Sequence, residues 1–159
     1  MKNIQIKKIN LNQLPEVIKM TWQAFNVPFL KGGIISDYKE SENLKEMVEN
    51  KKIFILAALS NNKIVGAVRY KSTANGQNIY LFRLAVLKFY RYMGIGSKLV
   101  KRVEKITKKL GYKKIKLDCV LEKGLFPYYK KLGYRVYNIK KHDDHYDVFM
   151  YKRVNSFKK

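Results

Sequence analysis

Apolar positions along the chain switch between two periods, and the switches outline a fold. Ile4 and Ile6 alternate with polar residues, the period of a strand with one buried face. Leu14, Val17, Ile18 and Ala24 then recur at helical spacing over Leu14 to Phe25, with Asn12 placed to cap the helix and Pro15 in its first turn. VPFLKGGIISD is a Gly/Pro-bearing loop, and Ser41 with Leu44, Met47 and Val48 predicts a short second helix on which acids cluster. KIFILAAL and KIVGAVRYK are strands joined by the turn residues SNNK, and ANGQ turns into a third, NIYLFRLAVL. Together they predict an antiparallel meander. Residues 94–110 predict an amphipathic helix, with Ile95, Leu99, Val103, Ile106 and Leu110 on one face, lysines around the rest and Gly111 at its end. KKIKLDCVL is a strand, Pro127 starts the short helix PYYKKL closed by Gly133, and YRVYNIKK and HYDVFMYKRV are the final strands. The order β-α-α-β-β-β-α-β-α-β-β is that of an α/β sandwich, one sheet covered by helices, formed as a single domain over residues 1–159.

Composition narrows the class. A chain of 159 residues, 47% apolar, can bury a core of its own. The start MKNIQIKKINLN has no apolar h-region, so no secretory signal is expected. No apolar run approaches the ~18 residues of a membrane span; the longest, Ile53 to Leu59, is strand-sized. The single cysteine, Cys119, cannot pair internally, which fits a reducing cytoplasm. The formal charge of +22 is unevenly spread: residues 1–50 carry seven lysines and six acids, residues 51–159 the other 27 basic residues and six acids. A net +21 over the second part attracts phosphates, nucleic acid or acidic surfaces. The plainer reading is that most of these lysines simply solvate the surface.

The chemistry gathers around YRYMGIGSKL. LAVLKFYRYMGIGSKLV sets a strand, a short connection and a helix in succession. The first turn of a helix has N–H groups without intrahelical partners, and the helix dipole adds positive charge there, so an anion binds readily. Gly94 and Gly96 let backbone approach a phosphate closely, Ser97 offers a hydroxyl, and Lys88, Arg91 and Lys98 offer charge. A glycine-bearing connection into a surface helix explains the same spacing. The stretch lacks the GxxxxGK-S/T of a P-loop. The third glycine of a dinucleotide fingerprint is Leu99, although Asp118 ends the next strand about where a ribose-binding acid would stand. A meander before the motif, with some 40 residues after Asp118, does not supply the βαβ units of a dinucleotide fold.

Three stretches resemble the GNAT (Gcn5-related) family of acetyl-CoA-dependent N-acetyltransferases. RLAVLKFYRYMGIG is similar to the family's R/Q-x-x-G-x-G/A motif after a strand, with Arg91, Gly94 and Gly96 on the defining positions. YYKKLGY, Tyr128 to Tyr134, resembles its FYEKLGF-type segment, and HYDVFMYKRV its closing strand. The order of elements matches over about residues 3–153 and implies a mixed, mostly antiparallel sheet flanked by helices.

The resemblance also implies roles. Backbone of Leu84, Ala85 and Val86 would bind the pantetheine arm of acetyl-CoA. The turn of Arg91, Tyr92, Met93, Gly94, Ile95, Gly96 and Ser97 would hold its pyrophosphate. Tyr129 matches the family's general acid, which protonates the departing thiolate; a phenol, pKa ~10, stays protonated until a strong base develops beside it. The base is left open. Tyr80 stands about where some relatives carry a glutamate on the fourth strand, and Asp118 matches the fifth-strand glutamate of others, so Asp118 or a water chain would take the amine's proton. Glu122 replaces a frequent asparagine and Leu125 a usual alanine.

Other features have plainer readings. Cys119 reads as a core thiol rather than an acyl carrier, and HDDH, His142 to His145, as a turn, so no metal is expected. Tyr80 and Phe82 share a strand face, which predicts core packing rather than base stacking. Trp22, Phe25 and Phe29 line an acceptor pocket or fill core beneath the loop. Asp37, Glu40, Glu42, Glu46 and Glu49 favour a cationic amine or form a solvated face. The acceptor is a small-molecule or peptide amine, no membrane partner is expected, and a homodimer is left open. A basic nucleic-acid-binding module, with the acetyltransferase fold idle or secondary, is the alternative.

Overall fold

The computed structural model describes residues 3–25 and 43–154. The predicted loop after the first helix, with Phe29 and Asp37, lies outside the described residues, as do Glu40, Ser41 and Glu42. The strands are β1 (Ile4–Lys8), β2 (Phe54–Ser60), β3 (Lys63–Ser72), β4 (Ile79–Val86), β5 (Lys114–Val120), β6 (Arg135–Lys141) and β7 (Tyr146–Arg153). The helices are α1 (Leu14–Phe25), α2 (residues 43–49), α3 (Ile95–Lys109) and α4 (Phe126–Lys131). The order is the predicted one. The strands form one sheet, β1-β2-β3-β4-β5-β7-β6. The β1–β2, β2–β3, β5–β7 and β6–β7 pairs are antiparallel, and β4–β5 is parallel. No helix among the described residues is long and apolar enough to cross a membrane.

The chain parts into two compact units, one taking residues up to Lys71 with Arg83–Lys101, the other Ser72–Phe82 with Arg102 onward. In the first, β2 and β3 are buried on both faces, which is why their apolar runs are nearly continuous: Leu56, Ala57, Ala58, Ile64, Val65, Ala67 and Val68 all lie in the core. α1 adds Leu14, Val17, Ile18, Met20 and Ala24. Its start differs from expectation. A 3-10 turn over Leu11–Gln13 precedes it, so the capping position moves from Asn12 to Asn10, whose N–H donates to Gln13 Oε1 at 3.0 Å. Gly66 on β3 admits α3 closely: a Cβ there would stand 3.2 Å from Ala85 O, 3.2 Å from Ile95 Cγ2 and 3.4 Å from Leu99 Cδ1.

In the second unit β5 and β7 alternate. Ile115, Leu117, Cys119, Val148 and Met150 are buried, while Lys114, Lys116, Asp118, Phe149 and Tyr151 keep partial exposure on the other face. The buried stripe of α3 runs Ile95, Leu99, Val103, Thr107. Ile106 is only half-buried, and Leu110, beyond the helix end, is 63% exposed. The helix stops at Lys109, and Gly111 turns at φ +85°. Steps of four carry the stripe past Ile106 to Thr107, whose hydroxyl is satisfied by the Val103 carbonyl at 2.7 Å. Tyr80 and Phe82 do share a face, but the half-exposed one. Their rings stack at 5.7 Å beside the buried Ile79 and Leu81, so the expectation of core packing is corrected.

Candidate functional site

The turn singled out as a candidate anion site belongs to the first unit. Arg83 in β4 is left-handed, with φ +53°, and the parallel ladder with β5 pairs Ile79 with Ile115 and Tyr80 with Lys116, before that residue. Leu84 and Val86 are half-buried and Ala85 is buried. A 3-10 turn over Lys88–Tyr90 leads to Arg91. Tyr92 and Gly94 then adopt left-handed conformations, φ +63° and +79°, and α3 begins at Ile95. Gly94 meets that demand without strain, and nothing lies within 4 Å of where its Cβ would be, so the turn is open there. Tyr92 and Met93 are exposed, while Ile95 and Leu99 anchor the helix in the core. By helix geometry the N–H groups of Ile95 and Gly96 have no carbonyl one turn earlier, whereas Lys98 N–H reaches Gly94 O at 3.0 Å. No acid stands in the first turn of α3 to neutralise the dipole.

Arg91 does more than add charge. Its Nε donates to Val86 O at 3.0 Å, and its Nη2 donates to Ala24 O. The guanidinium thus braces the turn between the ends of β4 and α1. Nearby, the Arg83 guanidinium lies 5.9 Å from the centre of the Trp22 ring. Trp22 is half-buried, and its indole N–H is buried without a hydrogen-bond partner among the described residues.

The proton-handling candidates belong to the second unit. Tyr129 is held in α4, started by Pro127 and closed by Gly133 at φ +97°. Its ring is buried, edge-on to Tyr128 at 5.3 Å and to Tyr134 at 5.9 Å. Burial pushes its phenol well above the ordinary range, with further contributions from Tyr128, Cys119 and Asp118. Tyr134 is a structural partner: its hydroxyl donates to Glu104 at 3.2 Å, and Lys152 donates to Glu104 at 3.1 Å and to Leu132 O at 2.8 Å. Asp118 faces Phe149 across the β5–β7 ladder. Burial, then the charge of Asp147, raises its carboxyl above the usual range. Cys119 is buried, and burial with Asp118 and Asp147 moves its thiol to about 11, the behaviour of a core thiol.

Glu122 accepts the Tyr146 N–H at 3.1 Å and so holds the start of β7, and Leu125 is exposed. Sequence reasoning missed three contributors: Gly66, the Arg91 brace and the Glu104–Tyr134–Lys152 cluster. Gly66 could have been suspected as a lone glycine inside an apolar strand. The other two join residues far apart in the chain and leave no local signal.

Known proteins share the sequence pattern and the fold. Residues 14–134 match the model of the acetyltransferase (GNAT) family. The chain is 32% identical over 90 residues to Probable N-acetyltransferase 14 of Xenopus tropicalis, a match covering 56% of this chain and 43% of that relative. Among solved structures, an aminoglycoside 6'-N-acetyltransferase complexed with coenzyme A superposes with a TM-score of 0.79 at 18% identity, covering 98% of this chain and 99% of that one. The PaiA N-acetyltransferase of Thermoplasma acidophilum, also in complex with coenzyme A, gives 0.74 at 24% identity, covering 95% and 99%. With the family model spanning most of its length, from the start of α1 to Tyr134, this chain belongs to the GNAT acetyltransferase family.

Proposed function

We propose that the chain is an acetyl-CoA-dependent N-acetyltransferase, acting as one domain, that moves an acetyl group to a primary amine by direct attack on the thioester. The observation that carries this reading is the left-handed, open turn at Gly94 leading into a helix start free of acids. The N–H groups that open its helix and the space beside Gly94 suit a pyrophosphate. Acetyl-CoA supplies the activated acyl group. Amides from Tyr92 to Ser97 grip its pyrophosphate, Arg91 braces the turn, and the backbone of Leu84, Ala85 and Val86 lies along the pantetheine arm.

Transfer forms an N–C bond and breaks a C–S bond. The amine loses a proton and the sulfur gains one. Tyr129 holds a proton at its hydroxyl for the sulfur. Its raised pKa keeps the phenol protonated through neutral pH and makes donation late, once negative charge on the sulfur is fully developed. Asp118, or a water chain, takes the amine's proton, and the same burial that raises its pKa makes it a stronger base. Acceptors are small-molecule or peptide amines, the setting is the cytoplasm, and a second copy is a candidate partner.

Calorimetry with acetyl-CoA tests the reading. Binding at micromolar concentrations is expected, and its absence overturns the enzyme assignment. Tyr129→Phe is then expected to keep acetyl-CoA binding and lose turnover by ~10²-fold or more. Unchanged turnover across pH would remove Tyr129 from the acid role.

A further inference from the structure

The β6–β7 hairpin closes with a histidine on each side. His142 N–H donates to His145 O at 2.8 Å, which makes these two a cross-strand pair with Asp143 and Asp144 as the tip between them. Side chains of such a pair leave on one face. The imidazoles stack there, ring centres 4.4 Å apart and planes at 13°. Asp147 follows His145 by two residues, so strand alternation returns it to the same face. The three groups meet: Asp147 Oδ2 is 2.8 Å from His142 Nε2, and Oδ1 is 3.4 Å from His145 Nε2. The order H-D-D-H-Y-D thus becomes a cluster through hairpin geometry alone.

The other nitrogen of His145 is already held, Nδ1 lying 2.7 Å from Asp144 Oδ1. With Nδ1–H given to that carboxylate, the neutral ring presents a lone pair at Nε2. That nitrogen faces Asp147 Oδ1 at 3.4 Å, a place filled by a proton when the ring is cationic and open to a metal ion when the ring is neutral. A carboxylate fixing the distal nitrogen of a histidine is the outer shell that zinc-type ligands use. Ligand atoms of His142, His145 and Asp147 all lie within 4.8 Å of one another. A tetrahedral ion with bonds of ~2.1 Å spaces its donors by about 3.4 Å, so small side-chain rotations seat it. The side chains keep 32%, 32% and 20% of their exposure, leaving a path from solvent and an open position for water.

We propose that His142, His145 and Asp147 bind one divalent transition-metal ion of the zinc class, with Asp144 positioning His145. The bound ion clamps the β6–β7 hairpin; of these residues Asp147 alone bears on the acyl transfer described above, through its charge on Asp118. The test is calorimetric titration of the untagged, chelator-stripped full chain with zinc sulfate, with thermal unfolding followed in parallel. One zinc per chain, a dissociation constant of ~1 μM or below and a raised Tm are expected. The His142→Ala, Asp147→Asn double variant is expected to lose the site while retaining its circular dichroism spectrum and acetyl-CoA binding. Asp144→Asn is expected to weaken zinc about 10- to 100-fold. Cobalt substitution of the wild-type chain gives a reading independent of any variant: intense tetrahedral visible bands support the site, and the faint octahedral spectrum of the aquo ion overturns it. Absent zinc uptake, or uptake that persists in the double variant, overturns it too.

Discussion

Asp118 and Cys119 are chain neighbours on opposite faces of β5, and burial acts on both. For Asp118, burial and then Asp147 disfavour the charged form. A carboxyl that holds its proton more tightly folded than unfolded stabilises the fold at acid pH, and that contribution is lost as pH rises through the folded pKa. Ionised Asp118 is therefore a cost at neutral pH, retained in our reading because it serves the amine. Asp118→Asn removes the charge at nearly constant shape. It is expected to raise Tm near neutral pH, with the gain vanishing towards pH ~3, where both side chains are neutral. If Asp118 is the base, kcat/KM falls by ~10²-fold in the same variant. A stability gain with unchanged kcat/KM leaves the water chain as the base. Cys119 gives a separate check. With its thiol moved up to about 11, under about 1% is thiolate at pH 8. Iodoacetamide is expected to leave the folded chain unmodified at that pH and to alkylate it promptly in denaturant.

The turn before α3 shows how a spacing legible in sequence acquires a mechanism only in three dimensions. Gly94 and Gly96 mark it locally, and Gly94 takes the left-handed backbone at φ +79°. The work of Arg91 is not local: Ala24, one of its acceptors, is 67 residues away. Arg91→Lys separates charge from bracing. Lysine keeps the positive charge but cannot reach two carbonyls from one planar fork. Loss of such charge-assisted hydrogen bonds is worth ~1.5–3 kcal/mol, so a clear drop in unfolding midpoint and about tenfold weaker acetyl-CoA binding are expected. Wild-type values for both in the lysine variant would return Arg91 to a purely electrostatic role. The same contrast runs through the rest of the fold. Strand and helix order was legible because two periods alternate cleanly along the chain. The capping position slipped from Asn12 to Asn10 because a 3-10 turn, which has no hydrophobic period of its own, precedes α1. Spacing puts Leu110 on the core face, but the helix ends at Lys109 and Leu110 stays exposed. Alternation groups Tyr80 with Phe82 but does not say which group is inside, and the structure puts this pair on the half-exposed face. The resemblance singles out Tyr129, whereas only the structure shows the rings beside it, Tyr128 in α4 and Tyr134 just before β6.

The charge of the chain bears on what it binds besides its cosubstrate. α3 carries Lys98, Lys101, Arg102, Lys105, Lys108 and Lys109, and its single acid, Glu104, is taken by Tyr134 and Lys152. The solvent side of this helix is thus uniformly positive, within a span from residue 51 to 159 of net charge +21. Such a surface binds polyanions by releasing their counterions, and that attraction collapses with salt: neutralising 6–10 phosphates loses ~10³–10⁵ in affinity between 50 and 200 mM. In the proposed function, binding in the Gly94 turn works differently, because aligned backbone N–H groups and close packing persist when mobile charges are screened. A parallel salt series therefore separates the two. Acetyl-CoA affinity is expected to fall by less than about tenfold over that range, while binding to a short single-stranded DNA, measured by filter retention, is expected to drop steeply and disappear by ~0.2 M. Nucleic-acid binding that stays nanomolar at the upper salt limit would mean that contacts beyond counterion release hold the strand, and the basic module would then be the primary function. A loss of both ligands together would mean that the turn holds its anion by surface charge alone.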